Sequence, residues 1–263
     1  MPHRPRPIAS CRRVTTAARQ RGIALFVVIV FVMLSMLLAL WASRTSLFNE
    51  MVVGNDADYQ RAFEAAQALI QDAELDIRGE KADGSPCGAP PCRAYSSGTQ
   101  QFPADTKEIN PLIITLEAES TRCKDGLCAR RAGRQDFWNY ATASTTIKPA
   151  ARAELGEVPL SDLMAVGARY GQYTGAASST AAGPLNPILA EHSDGQGGWY
   201  WVEVLRYSDK AKSANLIVDA STSQLPLNLD VYVVFRITAL AMGRKPGNTV
   251  VLQETYARQR MKD

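Results

Sequence analysis

Between Ile23 and Ala42 the chain runs through 20 consecutive uncharged residues, and Ser35 carries the only aliphatic hydroxyl among them. A helix crossing the hydrocarbon core of a bilayer needs about 20 apolar residues, whereas the h-region of a secretory signal is shorter. The run predicts a spanning helix, and "LWASR" at its end makes a poor signal-cleavage site. Arg12, Arg13, Arg19 and Arg21 precede the run, while Arg44 alone follows it closely. That asymmetry predicts a cytoplasmic N-terminus and an exported remainder.

This topology divides the charge. The chain holds 29 Lys and Arg against 26 Asp and Glu, but residues 1–22 contribute six arginines and no acid. The remainder is slightly acidic, so the basic pI belongs to the leader. No exported basic stripe interleaved with aromatics remains to favour nucleic acid.

Cys87, Cys92, Cys123 and Cys128 form an even set on the exported side, as expected of an oxidising compartment. In "CKDGLC", Asp125-Gly126 is a favoured two-residue hairpin turn that would set Cys123 opposite Cys128. A non-hydrogen-bonded cross-strand pair has a Cα separation of about 4.5 Å, at the short end of what a disulfide accepts. In "CGAPPC" a stiff, extended Pro90-Pro91 would force the reversal to Gly88-Ala89, and Cys87 pairs with Cys92 by elimination. Four cysteines allow three connectivities, and a four-thiolate zinc site is the competing arrangement.

No proline occurs between Pro7 and Pro86. After the apolar run, Tyr59, Ala62, Phe63, Ala66, Leu69, Ile70, Ala73 and Ile77 recur at spacings of three and four, the stripe of an amphipathic helix. Arg61, Glu64, Asp72, Glu74 and Asp76 are expected mostly on the other faces, and Gly79 supplies the stop. An unbroken helix from Ile23 to Arg78 would be about 84 Å long. Gly54-Asn55 weakens it by about 1 kcal/mol, enough to invite a bend or a melted turn.

The pattern beyond residue 80 predicts a loop over 96–110, a strand over 111–118, a strand-like stretch over 137–147 and a short helix after Pro159 capped by Ser161. "YTGAASSTAAGPLNP" is expected to be a surface loop. Three clearer strands follow at 199–207, 229–240 and 249–257, the last two joined through "MGRKPGN" as a hairpin. "WYWVEV" has aromatics at period two, suited to a buried strand. A long helix followed by strands predicts an α+β fold in which the amphipathic half of the helix covers one face of an antiparallel sheet.

"RGIALFVVIVFVMLSMLLAL" resembles the N-terminus of a type IV prepilin: a basic leader, a glycine at the cleavage position, then a long apolar helix. "SLFNEMVVGNDADYQRAFEAAQALIQDAE" resembles the N-terminal domain of the PilX minor pilins, and "VVFRITALAMG" with "TVVLQETYAR" resembles that family's terminal hairpin. The resemblance implies a leader over 1–22, a pilin helix over 23–78 that spans the membrane at 23–42, and a periplasmic domain over 79–263. It further implies cleavage by the prepilin peptidase between Gly22 and Ile23, and N-methylation of Ile23. Major pilins carry Glu at the fifth mature position, where this chain has Val27. A carboxylate within a membrane helix costs at least about 2.5–3.5 kcal/mol, so pilins that retain it use it. In the family it meets the terminal amine of a neighbouring subunit during assembly.

The implied protein is therefore a minor pilin that primes type IV pilus assembly or sits in the tip complex. Its expected partners are other minor pilins, the major pilin, a PilY-type tip adhesin and the inner membrane. A minor pseudopilin of a type II secretion system, or a signal-anchored periplasmic protein, shares most of the physics. Neither an enzymatic activity, a cofactor nor a metal is expected. Of the two histidines, His3 lies in the leader and His192 beside Ser193 and Asp194, and sequential neighbours cannot form an oriented triad. Asp56, Asp58 and Asp125 offer too few oxygens in sequence for a calcium loop.

Overall fold

The computed structural model describes residues 21–103, 106–133, 135–140, 157–178, 186–206 and 233–258. Helix α1, Arg21–Arg78, is continuous in its secondary structure through Gly54 and Asn55, with no melted turn. The chain divides into two compact units, residues 1–53 and 54–263.

In the first unit the large apolar side chains of α1 from Ile23 to Val53 are exposed. Among the described residues this is the one helix long and apolar enough to cross a membrane by length and composition.

In the second unit, α1 from Gly54 onward is a core element. Ala62, Ala65, Ala66, Leu69, Ile70, Ala73 and Ile77 are buried, so the three-and-four spacing is realised as a packed stripe. Tyr59 belongs to the expected stripe but is 45% exposed. Asp72 and Asp76 depart the other way: expected on the polar faces, they are buried. Each lies three residues beyond an inward-facing position, Leu69 or Ala73, so the helical turn carries it inward with the stripe.

Five strands form one sheet in chain order: β1 Cys123–Lys124, β2 Leu127–Ala129, β3 Gly198–Arg206, β4 Val233–Met242 and β5 Thr249–Tyr256. β1–β2, β3–β4 and β4–β5 pair antiparallel, but β2 pairs parallel to β3, with Cys128 opposite Glu203. The long crossover between β2 and β3 permits that direction, where a tight turn would not. One sheet face turns Tyr200, Val202, Val204, Phe235, Ile237 and Ala239 into the core containing the α1 stripe. The other face packs Trp199, Trp201 and Leu240 with Phe137, Val158 and Leu163. β3 is therefore covered on both sides, which its aromatic run anticipates. Trp201 donates its indole N–H to the Leu163 carbonyl at 2.9 Å and meets the Phe137 ring edge-on at 5.4 Å between centroids.

Three expectations about the intervening segments fail. Residues 111–118, expected as a strand, belong to helix α2, Thr106–Ala118, which also takes the end of the expected loop. Ile109, Leu112 and Leu116 are its buried stripe, and Pro111 sits near enough to the start that its missing N–H frees only one early carbonyl. Phe137–Asn139 is a single 3₁₀ turn rather than a strand, and 141–147 lie outside the described residues. The short helix exists as α3, Leu160–Val166, but Pro159 occupies its N-cap, and Ser161 instead donates to Asp162 at 3.3 Å.

Leu69 packs over Gly198, where an added Cβ would lie 2.7 Å from Leu69 Cδ1. Leu69 is fully buried and its side chain fills the space between helix and strand, so truncating it leaves a cavity. Leu69→Ala should cost about 2–5 kcal/mol in a denaturant melt of the detergent-solubilised chain. A loss below about 1 kcal/mol would mean that α1 does not carry the core.

Candidate functional site

Several polar contacts connect the 54–78 portion of α1 to the rest of its unit, and two groups of them lie near its ends. Near its start, Asp58 is buried beneath the β4–β5 turn and accepts the backbone N–H of Arg244 at Oδ1 and of Lys245 at Oδ2, both at 3.0 Å. The Asn248 side-chain amide adds a bond to Oδ2 at 2.9 Å and reaches Asn55 Oδ1 at the same distance. Burial raises the carboxyl's pKa, but these donors, with the Lys245 charge, outweigh it and hold the group below its ordinary value.

Gly54 and Asn55 acquire a specific role here. A Cβ at Gly54 would meet the end of the exposed Lys245 side chain at 2.6 Å, and one at Gly243 would clash with Asp58 Oδ2. The two segments that resemble the PilX minor pilins, the Gly-Asn helix and the terminal hairpin, thus meet in space. Sequence inspection misses Asp58 because two of its partners are backbone amides, which leave no residue-type signal.

At the other end of α1, Asp76 pairs with Arg93 through a 2.6 Å contact from Nη2 and accepts the Tyr200 hydroxyl at 2.9 Å. Arg93 is buried, stacks 3.7 Å over the Tyr173 ring, and donates to the carbonyls of Gln100 and Asp125 at 3.1 and 2.8 Å. Burial alone would lower its pKa, but the charge and hydrogen bonds of Asp76, helped by Tyr200 and Tyr173, together outweigh that and hold it above the ordinary guanidinium value. One guanidinium therefore ties the helix end to the loop containing Cys87 and Cys92 and to the hairpin containing Cys123 and Cys128.

The structure contains both local disulfides, Cys87–Cys92 and Cys123–Cys128, with Cα separations of 5.8 and 4.1 Å. The second closes the β1–β2 hairpin over Asp125 and Gly126, both at positive φ as the turn requires. In the first loop the reversal expected at Gly88-Ala89 lies later: Cys92 N–H donates to the Ala89 carbonyl at 3.2 Å, around a cis Pro90-Pro91 bond. The diproline is part of the turn rather than an extended arm.

A second buried cation lies beside the hairpin. Arg131 has Nη1 3.4 Å from Glu203 Oε1, stacks 4.0 Å from the Phe137 ring centroid and places Nη2 3.4 Å from Cys123 Sγ. Arg236 Nε completes the Glu203 carboxylate at 2.7 Å. His192 is exposed, in a loop where Glu191 accepts from the Ser193 hydroxyl at 2.6 Å. Gly22, Ile23 and Val27 lie in the first turns of α1, and the side chains of Ile23 and Val27 are exposed.

A family model described as type IV pilus assembly protein PilX C-term matches residues 124–258, and one described as PilX N-terminal matches residues 21–70. No curated protein and no solved structure matches the chain significantly.

Removing the Arg93 cation should expose how much of the unit it organises. Arg93→Met leaves Asp76 buried without its counter-ion and should cost about 3–5 kcal/mol in a denaturant melt, whereas Asp76→Leu combined with Arg93→Met should recover a substantial part. If the double variant is no more stable than Arg93→Met, the unpaired charge is not the source of the loss.

Proposed function

Because the chain belongs to the PilX family of type IV pilus assembly proteins, we propose that it is the minor-pilin kind of subunit that founds a pilus and stays at its tip. The assembly role follows from the family, whose members are structural components of the pilus. The priming role rests on one observation: Val27 stands where major pilins carry a carboxylate.

Each subunit added to a growing filament brings its helix out of lipid. A carboxylate near the start of that helix is neutralised by the terminal amine of the subunit already in place. A founding subunit has no predecessor. Valine at that position spares it an unpaired buried carboxylate, a penalty of several kcal/mol.

On this reading the leader 1–22 is cytoplasmic and is removed by the prepilin peptidase after Gly22, and the new Ile23 amine is methylated. Helix 23–78 anchors the protein in the inner membrane through 23–42, and residues 79–263 form the periplasmic domain. Its partners are the other minor pilins, the major pilin and a PilY-type tip adhesin.

N-terminal sequencing of the membrane-extracted protein, in a strain with active peptidase, should begin at methyl-Ile23, and Gly22→Leu should leave the leader attached. A sequence beginning at Met1 in the unsubstituted protein would refute processing. Quantitative mass spectrometry of sheared pili should find few copies per pilus, and Val27→Glu should not improve piliation. Abundance close to that of the major pilin would defeat the tip assignment while leaving the family membership intact.

A further inference from the structure

Asp72 and Asp76 lie one helical turn apart on α1 and are both buried, at 2% and 5% exposure. The cation between the helix and its surroundings, Arg93, is engaged by Asp76 through both carboxylate oxygens. Asp72 has a different set of partners. Its Oδ2 accepts the Gly171 backbone N–H at 2.7 Å, and its Oδ1 lies in a very short hydrogen bond with the Thr174 hydroxyl. None of these partners carries a positive charge.

The contact is long-range, since Gly171 and Thr174 are 99 and 102 residues from Asp72. It also extends further. Thr174 Oγ1 accepts the Ala176 N–H at 3.3 Å, and the Thr174 carbonyl accepts the Ala82 N–H at 3.1 Å. One carboxyl group therefore holds the 171–176 segment to α1 and, through it, the strand-like start of the loop that contains Cys87.

We propose that Asp72, Gly171 and Thr174 form an acid-tightened clasp, closed more firmly when Asp72 is protonated and opened more readily when it is ionised. An ionised carboxylate in this position forgoes hydration without gaining a counter-ion, so local opening to water relieves it. A protonated one has no such incentive, and its proton fits between Oδ1 and Thr174 Oγ1, where either oxygen can act as donor. The neighbouring groups reinforce this. Asp76, on the same helix, repels the Asp72 charge. Tyr200 from β3 and Tyr170 and Tyr173 from the clasped segment are phenols whose pKa burial pushes up, that of Tyr173 to about 12, so they stay neutral in acid. Arg93 is directed to Asp76 and keeps its charge.

Burial raises the Asp72 carboxyl to about 6, against the hydrogen bonds from Thr174 and Gly171 that lower it, while Asp76 adds to the rise. The folded pKa lies above the unfolded one, so the stabilisation is complete below about pH 4 and is lost as pH rises through about 6. The equilibrium for local opening should accordingly rise by up to about a hundredfold between pH 4 and pH 7.

The test is a carboxyl carbon NMR titration of the full-length protein in micelles, with the Asp72 signal assigned by through-bond correlation to its own backbone, alongside amide exchange corrected for intrinsic pH dependence. The Asp72 signal should titrate with a midpoint near 6, and protection of the Gly171 and Ala82 amides should fall from pH 4.5 to pH 7. Asp72→Asn should make that protection independent of pH. Thr174→Val removes one donor from the carboxylate and should move the midpoint upward. A midpoint near 4, pH-independent protection in the unsubstituted protein, or an unmoved midpoint in Thr174→Val would each overturn the proposal, and the last of these does not require Asp72→Asn to fold.

Discussion

The ion pair between Asp76 and Arg93 constrains more of this unit than any other single contact. A guanidinium removed from water is tolerable only where its charge is matched and its donors are satisfied. Here the charge is matched by α1, the remaining donors end on carbonyls of two different loops, and the planar face rests on Tyr173. Displacing any of these segments would leave the cation short of a partner. The Arg93 side chain thus fixes where the Cys87–Cys92 loop and the β1–β2 turn lie relative to the helix end, and each disulfide then acts on a loop whose root is already placed.

Burial of apolar surface sets a different kind of constraint, because it is proportional to area and has no direction. The stripe from Ala62 to Ile77 specifies which side of α1 meets the sheet, and Ala62, Ala65, Ala66 and Ala73 allow a close approach. Apolar contact alone would still tolerate small slides along the helix axis. The Asp58 and Asp76 contacts, near the two ends of this portion, each require particular donors at hydrogen-bond distance and so fix the axial register. β3 needs cover on both faces because it is central to the sheet, and the segment carrying Phe137, Val158 and Leu163 supplies the second layer over Trp199 and Trp201.

What was legible in the sequence is what repeats with a short period. The α1 stripe, the hairpin between β4 and β5, the aromatic run of β3 and the Asp125-Gly126 turn all follow from spacings within a dozen residues. The α2 stripe is obscured because Pro111 suggests a boundary that separates Ile109 from Leu112 and Leu116. Without Ile109, Leu112 and Leu116 no longer display a stripe, and the β-branched Ile113, Ile114 and Thr115 favour a strand. The polar network was illegible for a different reason. Arg93 and Asp76 lie 17 residues apart, and Arg131 contacts a carboxylate 72 positions away. Nothing in either local sequence distinguishes these side chains from solvated ones. Asp72 and Asp76 read as wet-side residues because a carboxylate usually belongs there.

Gly54 and Asn55 show where a weak local signal carries information about the whole. On propensity alone they mark the place where α1 ought to break, by about 1 kcal/mol for the glycine. The helix continues through them, and both positions meet the terminal hairpin. Gly54 leaves the room that Lys245 occupies, and Asn55 meets the amide of Asn248, which also binds the Asp58 carboxylate. A residue with better helix propensity at position 54 would improve the isolated helix and displace only the exposed end of Lys245, whereas losing Asn55 would remove a partner of Asn248. The violation of a local rule is compensated by a contact nearly two hundred residues away, and it falls at the point where the two segments that carry the family's resemblance come together.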